Sequence, residues 1–497
     1  MLRAAPFIAC LVYLTSGCVD RGGQAELGPQ AAIRFAARIR QLPVLRPIRG
    51  GWLDADELAT RLEKLVTPAD RAAMDAFGEA MGDLGVPSGA TPLSQQMVAA
   101  MATQIAGYYD PKEKVLFAIR RKASFPLEQT SVLIHEGVHA LQDQHGLMAS
   151  FGESVPGLDD LDAAQQAGIE GDATLAMVLG TTLYQGSDES AARTAMATTS
   201  FILGGVVKAF VDREHVAPVV GELLAFPYIA GYAYLLYGPL HDGGWPGVDA
   251  ALKTPVPSTE LVLHVERLAQ DDYPKLIAFD PGPLPGLVEA PTTVLGERWH
   301  RFVFHQRGQP MRAAEGWGGD RVRHYRAADG RTLSVLASTW DSDADAAEAE
   351  AAWRAIAAAH DVTSALYIVR DGLRVVVVGG TAPAEREHVA AAVLASWREQ
   401  RSSTTATRPV RSCRHHHPDP STSPSPSTST SHERATSPRA TSHEPEPEHE
   451  HEPERRGFLR GAHLLASPAD AARQSGRGHP LERGAHDAGS PRDLRPW

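Results

Sequence analysis

Cysteine is scarce in this chain, with three residues, Cys10, Cys18 and Cys413, among 497. A fold stabilised by several disulfides is therefore excluded. Aromatic residues make up 6% of the sequence, whereas hydrophobic residues make up 43%, as in an ordinary globular chain. We therefore expect a core built mainly from alanine, leucine and valine. No segment has the roughly 18 consecutive apolar residues that a membrane-spanning helix needs.

Positive charge is also in deficit. The chain has 48 Lys+Arg against 60 Asp+Glu, which gives a formal net charge of −12. A protein that binds nucleic acid through a broad basic face needs the opposite balance. We therefore expect no nucleic-acid partner.

The first residues have the layout of an export signal, with one arginine, an apolar run and then small residues. The stretch Leu14-Thr15-Ser16-Gly17-Cys18 resembles the bacterial lipoprotein cleavage box, in which the cysteine thiol receives a lipid. This resemblance implies a signal peptide over residues 1–18, lipidation at Cys18 and a tether over residues 19–30. The protein would then be anchored to a membrane of the cell envelope, on a periplasmic or extracellular face. Plain secretion is the alternative.

The remaining sequence predicts an α+β fold. Helical patterns dominate residues 31–280, interrupted by a hairpin pattern around Asp110-Pro111. Beyond a Pro-rich joint, residues 297–400 alternate strand and helix patterns, including a strand over residues 301–305, which predicts a small ferredoxin-like α+β domain. Residues 401–497 are rich in Ser, Thr, Pro, His, Arg and Glu, a composition that predicts a disordered tail.

The motif that carries chemistry is His135-Glu136-Gly137-Val138-His139, an HExxH sequence on a helix predicted over residues 126–145. Histidines four residues apart project from one face of a helix and can chelate one metal ion. Glu136 lies about 100° around the helix from His135, where it can take a proton from bound water. The alternative is an amphipathic helix with two histidines and a salt-bridging glutamate.

A catalytic zinc ion needs a third protein ligand. His145 has the spacing used by metzincins, but these require a glycine where this chain has Gln142, so that the helix breaks. Glu170 lies on a second predicted helix between Gly168 and Gly171. The cost of these glycines in helix propensity would be explained by close approach to the metal helix. We therefore favour Glu170.

Two acids could orient a ligating histidine from behind. Asp172 and Asp143 are candidates to accept the free ring N–H of a metal-bound imidazole. Each could equally be a solvated surface acid.

Several short stretches carry a family resemblance. They are Gly107-Tyr108-Tyr109-Asp110-Pro111, the stretch from His135 to His145, Glu170-Gly171-Asp172-Ala173, Phe226-Pro227-Tyr228, Pro257-Ser258-Thr259-Glu260 with Leu263-His264, and Gly316-Trp317-Gly318-Gly319-Asp320-Arg321. Together with the metal motif they resemble the gluzincin branch of the HExxH metallopeptidases. More closely, they resemble mostly uncharacterised bacterial and archaeal zincin-like proteins, over roughly residues 38–400.

The resemblance implies a mainly helical, zincin-like metallopeptidase domain over residues 31–280. It implies that Zn²⁺ is bound by His135, His139 and Glu170. It also implies hydrolysis of peptide or protein substrates, with Glu136 activating a zinc-bound water.

The resemblance further implies an edge strand before the metal helix, to which an extended peptide can add; Val115–Ile119 is the candidate. Tyr228, Tyr232 and His264 are candidates to stabilise the developing oxyanion, although a tyrosine in an apolar helix is usually a core residue. The alternative function is a non-catalytic surface lipoprotein that keeps a structural zinc and binds a partner. The intact Glu136 argues against that alternative.

Overall fold

The computed structural model describes residues 27–86, 89–104, 107–119, 126–148, 159–214, 217–270, 272–291, 293–359, 366–380 and 385–401. The signal peptide with Cys18, most of the tether and nearly all of the tail lie outside these residues. The predictions made for them therefore stay predictions.

Helices dominate the described chain up to residue 263. They are α1 (Pro29–Arg40), α2 (Ala55–Leu65), α3 (Pro68–Asp83), α4 (Leu93–Gln104), α5 (Pro126–Gln144), α6 (Asp159–Tyr184), α7 (Glu189–Glu214), α8 (Pro218–Tyr237), α9 (Pro239–Lys253) and α10 (Thr259–Leu263). Local sequence starts several of them: Asp54 forms a capping box with Glu57 at α2, and Thr67 forms one with Asp70 at α3. The sequence pattern predicts long helices over residues 126–145, 161–179, 191–210 and 219–237, and these are confirmed as α5, α6, α7 and α8 with ends shifted by a few residues.

A three-stranded sheet lies beside these helices. It contains β1 (Arg49–Leu53), β2 (Gly107–Asp110) and β3 (Val115–Ile119), in the order β1-β3-β2. β2 and β3 form the predicted hairpin, and β1 pairs with β3 in parallel. Because β3 is central, the prediction that Val115–Ile119 is an edge strand is wrong. The hairpin is visible in the local sequence, whereas β1 comes from more than 60 residues earlier in the chain.

The later part of the chain mixes strands and helices. It contains β4 (Lys275–Ala278), β5 (Leu287–Glu289), α11 (Gly296–Gln306), β6 (Trp317–Ala327), β7 (Thr332–Trp340), α12 (Asp343–Ala358), β8 (Tyr367–Asp371), β9 (Arg374–Gly380), α13 (Arg386–Ser396) and β10 (Arg398–Arg401). An antiparallel sheet has the order β5-β6-β7-β9-β8, and β10 pairs with β4. The α+β class is confirmed; the ferredoxin-like description stays a prediction.

The strand predicted over residues 301–305 is wrong, because these residues lie inside α11. Trp299, Phe302 and Val303 are buried at the three- and four-residue spacing of one helix face. The segment is short, and its three consecutive apolar residues, Phe302, Val303 and Phe304, fit a buried strand as well as a buried helix face.

One hydrophobic cluster joins the earlier helices to the later sheet. Leu58 of α2 and Met81 of α3 belong to the same buried cluster as Trp299 of α11, Trp340 of β7 and Trp353 of α12. Residues on both sides of the Pro-rich joint therefore share a core.

By length and composition, helix α8 is long and apolar enough to cross a membrane. Half of its most apolar stretch is buried inside the protein. It packs along α6 through two glycines. A Cβ at Gly171 of α6 would overlap the backbone of Gly231, and a Cβ at Gly231 would overlap the backbone of Ala167. Only glycine permits this approach, which fixes the position of α6 relative to α8.

Candidate metal centre

Helix α5 carries the HExxH residues into the interior. His135, Glu136 and His139 are each 0% exposed. The buried apolar residues Ile134 and Val138 hold the helix in the core. The two imidazoles meet as the four-residue spacing predicts, with 2.9 Å between His135 Nε2 and His139 Nε2.

Glu170, on α6, brings its carboxylate close to these two imidazoles. Its Oε2 lies 3.2 Å from His135 Nε2 and 3.4 Å from His139 Nε2, and the residue is 1% exposed. We call His135, His139 and Glu170 the donor triad. Ligands at about 2.0–2.1 Å from a tetrahedral zinc ion lie about 3.3 Å apart. The distances between the three donor atoms therefore match the distances between ligands in a tetrahedral zinc site. Their chemistry, two imidazoles and a carboxylate, also suits zinc.

His145 is directed elsewhere, since its Nε2 lies 2.8 Å from the backbone oxygen of Pro43. Glu136 is also near the imidazoles: His135, Glu136 and His139 offer ligand atoms within 4.8 Å of one another. Glu170 is the better third donor because its oxygen lies 3.2 and 3.4 Å from the two imidazole nitrogens, whereas Glu136 is held by another group.

The glycines around Glu170 have a packing role, but not the predicted one. Gly171 allows contact with α8, and the added Cβ of Gly168 would meet Leu252 of α9 at 3.2 Å. The close approach that they were expected to give to the metal helix is instead an approach to α8 and α9. Glycine content signals a close contact without identifying the partner helix.

Gln142 orients His139, a role that the sequence did not reveal. Its Oε1 lies 2.8 Å from His139 Nδ1, and its Nε2 donates to Ile169 O at 3.1 Å and to Asp172 Oδ2 at 2.8 Å. An amide oxygen only accepts, so His139 Nδ1 carries the proton and Nε2 keeps its lone pair for a metal.

Asp172 does not accept a hydrogen bond from His139 directly, as predicted for an orienting acid, because the amide of Gln142 lies between the Asp172 carboxylate and the imidazole. The side chain of Asp172 is 0% exposed and accepts from Arg40 Nε at 2.5 Å. Arg40 also donates to Asp249 at 2.5 Å. Burial disfavours the charge of Arg40, but the two carboxylates outweigh it and raise its pKa. A hydrogen-bonded chain thus runs from the buried His139 through Gln142, Asp172 and Arg40 to Asp249, whose side chain is 27% exposed.

Asp143, the other predicted orienting acid, contacts neither imidazole in the hydrogen bonds of the described residues. It accepts from the hydroxyl of Tyr109 at 2.6 Å and from Lys114 Nζ at 2.7 Å. Asp143 therefore ties the β2–β3 hairpin to α5.

The two carboxylate oxygens of Glu136 differ in their hydrogen bonding. Its Oε2 accepts from the backbone N–H of Tyr109 in β2 at 2.8 Å, while its Oε1 is buried with no hydrogen-bond partner among the described residues. Burial, followed by the charge of Glu170, raises the pKa of Glu136 well above its ordinary value, against the effect of the Tyr109 bond. The contact also shows that β2 is the edge strand beside the metal helix.

The predicted oxyanion donors differ in position. The ring of Tyr228, half-buried on α8, stacks on His135 with 6.0 Å between centroids and 30° between planes. Tyr232 instead donates its hydroxyl to Met196 O at 2.9 Å inside the helical core. The two ring nitrogens of His264 lie 2.9 Å from Glu297 and 3.3 Å from Glu266. Among the contacts of the described residues, those of Tyr228 reach the donor triad, whereas those of Tyr232 and His264 do not.

Comparison with known proteins adds one match. Residues 287–390 match a Domain of unknown function (DUF8575). The matched segment runs from β5 into α13 and does not include the donor triad. No curated protein and no solved structure matches the chain. Any chemistry assigned to this protein therefore depends on the geometry around α5 and α6.

Proposed function

We propose that this protein is a zinc metallopeptidase that hydrolyses peptide bonds outside the cytoplasm. The observation that carries the proposal is the approach of three donor atoms, from two helices, at 2.9 to 3.4 Å from one another. Three protein donors leave a fourth position for water or substrate, as in catalytic zinc sites. Export rests on the predicted signal peptide and on lipidation at Cys18.

His135, His139 and Glu170 would hold the zinc ion, which would supply Lewis acidity to the reacting groups. Glu136 would accept a proton from the attacking water at Oε1 and pass it to the leaving amine. The bond from the Tyr109 N–H holds the other carboxylate oxygen, so that Oε1 keeps its direction. Tyr228, beside His135, is the remaining candidate to donate to the oxyanion.

A zincin-like arrangement of the gluzincin type is part of this proposal. Two features support it: a third donor from a second helix, and the edge strand β2 directly beside Glu136. An extended peptide could add to such an edge by main-chain hydrogen bonding, through groups other than the Tyr109 N–H, which Glu136 already occupies.

A specific observation also favours the non-catalytic alternative. Each member of the donor triad, and Glu136, is at most 1% exposed, and a structural zinc ion, unlike a catalytic one, needs no access for substrate. Profiling the zinc-loaded protein against a broad peptide pool separates the two functions. Hydrolysis of any peptide that is lost in Glu136→Gln supports the enzyme, and no hydrolysis of any peptide supports the structural site.

Metal analysis tests the donor triad directly. We expect about one tightly bound zinc ion per wild-type chain and loss of tight binding in Glu170→Ala, because two imidazoles alone hold zinc weakly. Glu63→Ala is the control, since its side chain is 63% exposed on α2. Full zinc retention by Glu170→Ala would contradict the ligand assignment.

Replacing Gln142 tests the orienting contact. In Gln142→Leu the proton on His139 Nδ1 loses its acceptor, and we expect zinc affinity to fall about 10- to 100-fold. Competition with a fluorescent chelator measures the change. Gln144→Leu, at the end of the same helix, should bind zinc like the wild type. Equal affinity in both variants would remove the orienting role.

A further inference from the structure

The described chain begins with a segment whose charge is opposite to that of the whole protein. Residues 27–53 contain five arginines and no acidic residue, in a chain of formal net charge −12. Arg34, Arg38, Arg46 and Arg49 are exposed, and among the described residues none of them has a carboxylate within ion-pair distance. Arg49 donates to the backbone oxygen of Glu113 at 2.5 Å and Arg38 lies 5.2 Å from the centroid of the Phe35 ring, but no carboxylate of the described residues neutralises these four charges.

Exposed apolar side chains accompany these arginines. Leu45 is 55% exposed, Trp52 is 42% exposed and Val44 is 38% exposed. We call the four exposed arginines and these three side chains the arginine face. A tryptophan among basic residues is typical of surfaces that lie at the headgroup level of a bilayer.

Two contacts place the end of this segment beside the start of α1. Gln30 of α1 donates to Ile48 O at 2.5 Å, and a Cβ at Gly50 would lie 3.0 Å from Pro29 Cβ. Trp52 lies two residues after Gly50, on the same face of β1. The segment after α1 thus runs back along the helix, and Trp52 is placed next to the start of the described chain.

The length of the chain between Cys18 and Leu27 limits how far the start of α1 can lie from Cys18. Leu27 follows Cys18 by nine residues, and nine residues span at most about 30 Å. If Cys18 carries the proposed lipid, the start of α1 is held close to the membrane surface. The arginine face is the surface adjoining that point.

We propose that the arginine face is a membrane-contact surface that binds bilayers containing anionic phospholipids. The arginines attract the headgroups, and Trp52, Val44 and Leu45 enter the interface between headgroups and acyl chains. The lipid at Cys18 would anchor the chain, and the arginine face would add electrostatic attraction to the bilayer and fix how the start of the chain lies on it.

This contact would also orient the metal centre. Gly137 packs on α1, where its added Cβ would lie 3.2 Å from Ala36 Cβ. Gly137 is two positions, or about 200°, around α5 from both His135 and His139. The imidazoles therefore point away from α1. Under the proposed function, which this consequence assumes, substrate would approach from the aqueous side rather than from the bilayer.

The test uses the chain from residue 18 onward with Cys18→Ser, so that no lipid anchor contributes. We expect it to bind vesicles of two parts phosphatidylcholine to one part phosphatidylglycerol, to bind pure phosphatidylcholine vesicles much less, and to dissociate as salt is raised. Because each arginine near an anionic surface contributes about five-fold to binding, Arg46→Gln with Arg49→Gln should lower the partition coefficient about 25-fold. Arg193→Gln with Arg312→Gln, at exposed sites elsewhere, should change it little.

Quenching of tryptophan emission by brominated phospholipid provides a second measurement. Quenching should be seen in the protein with an unchanged arginine face and should be clearly reduced in Trp52→Phe. No vesicle binding, equal binding to both vesicle types, or equal effects of the two double variants would overturn the proposal. Fatty-acid labelling of Cys18 and peptide hydrolysis are measured separately, so failure of this surface is distinguishable from failure of the anchor or of the enzyme.

Discussion

Peptide hydrolysis is expected to fall by about 10²- to 10⁴-fold in Glu136→Gln, while zinc stays bound. The amide has nearly the same shape as the carboxylate and can still accept from the Tyr109 N–H, but it cannot take a proton from water. The donor triad does not include Glu136, so the metal content should match that of the wild type. Hydrolysis of a peptide identified by profiling and zinc analysis of the same sample measure the two quantities.

The matched control for this change is Glu63→Gln, an identical substitution at an exposed position on α2. It should leave both hydrolysis and zinc unchanged. Wild-type turnover in Glu136→Gln would refute the general-base role. Loss of zinc in Glu136→Gln would instead identify Glu136 as a ligand and would require a different assignment for Glu170.

The second large effect concerns stability. Replacing Arg40 with methionine should lower the free energy of unfolding by about 3–5 kcal/mol, because Asp172 would keep a buried charge without its partner. The side chains of Arg40 and Asp172 are both 0% exposed, and the Arg40 guanidinium also packs 4.6 Å above the Trp245 ring. Urea unfolding of the metal-free protein measures the change without a contribution from zinc binding.

Two further variants identify the cause of this loss. Arg193→Met removes an arginine from an ion pair whose two side chains are 71% exposed, and it should cost less than about 1 kcal/mol. Adding Asp172→Asn to Arg40→Met should restore part of the stability, since no uncompensated charge then remains at that position. A loss below about 1 kcal/mol in Arg40→Met would show that the buried pair contributes little.

Local sequence was sufficient for the features that depend on spacing along one helix. The pairing of His135 with His139 follows from the helical repeat. The glycines beside Glu170 indicate close packing, but with α8 and α9 and not with the metal helix as predicted. The β2–β3 hairpin follows from its turn residues. Each of these features depends on residues within a few positions of one another.

The features that the sequence did not reveal depend on contacts between distant segments. Arg40 and Asp172 are 132 residues apart, so no local pattern connects them. The central position of β3 depends on β1, and the helical state of residues 301–305 depends on burial of α11 against other elements. Tyr109 acts through its backbone N–H, which any residue except proline possesses. These features follow from tertiary packing, which periodicity and propensity do not encode.

The complete burial of the donor triad has a consequence for how a cation is acquired and lost. With every donor at most 1% exposed, an entering or departing ion and an incoming peptide would all need the elements around the donor triad to open. Exchange is then governed by the rate of that opening rather than by diffusion. An ion captured while the chain folds would be retained kinetically, and the availability of zinc in the compartment where folding occurs would decide which metal the mature protein carries.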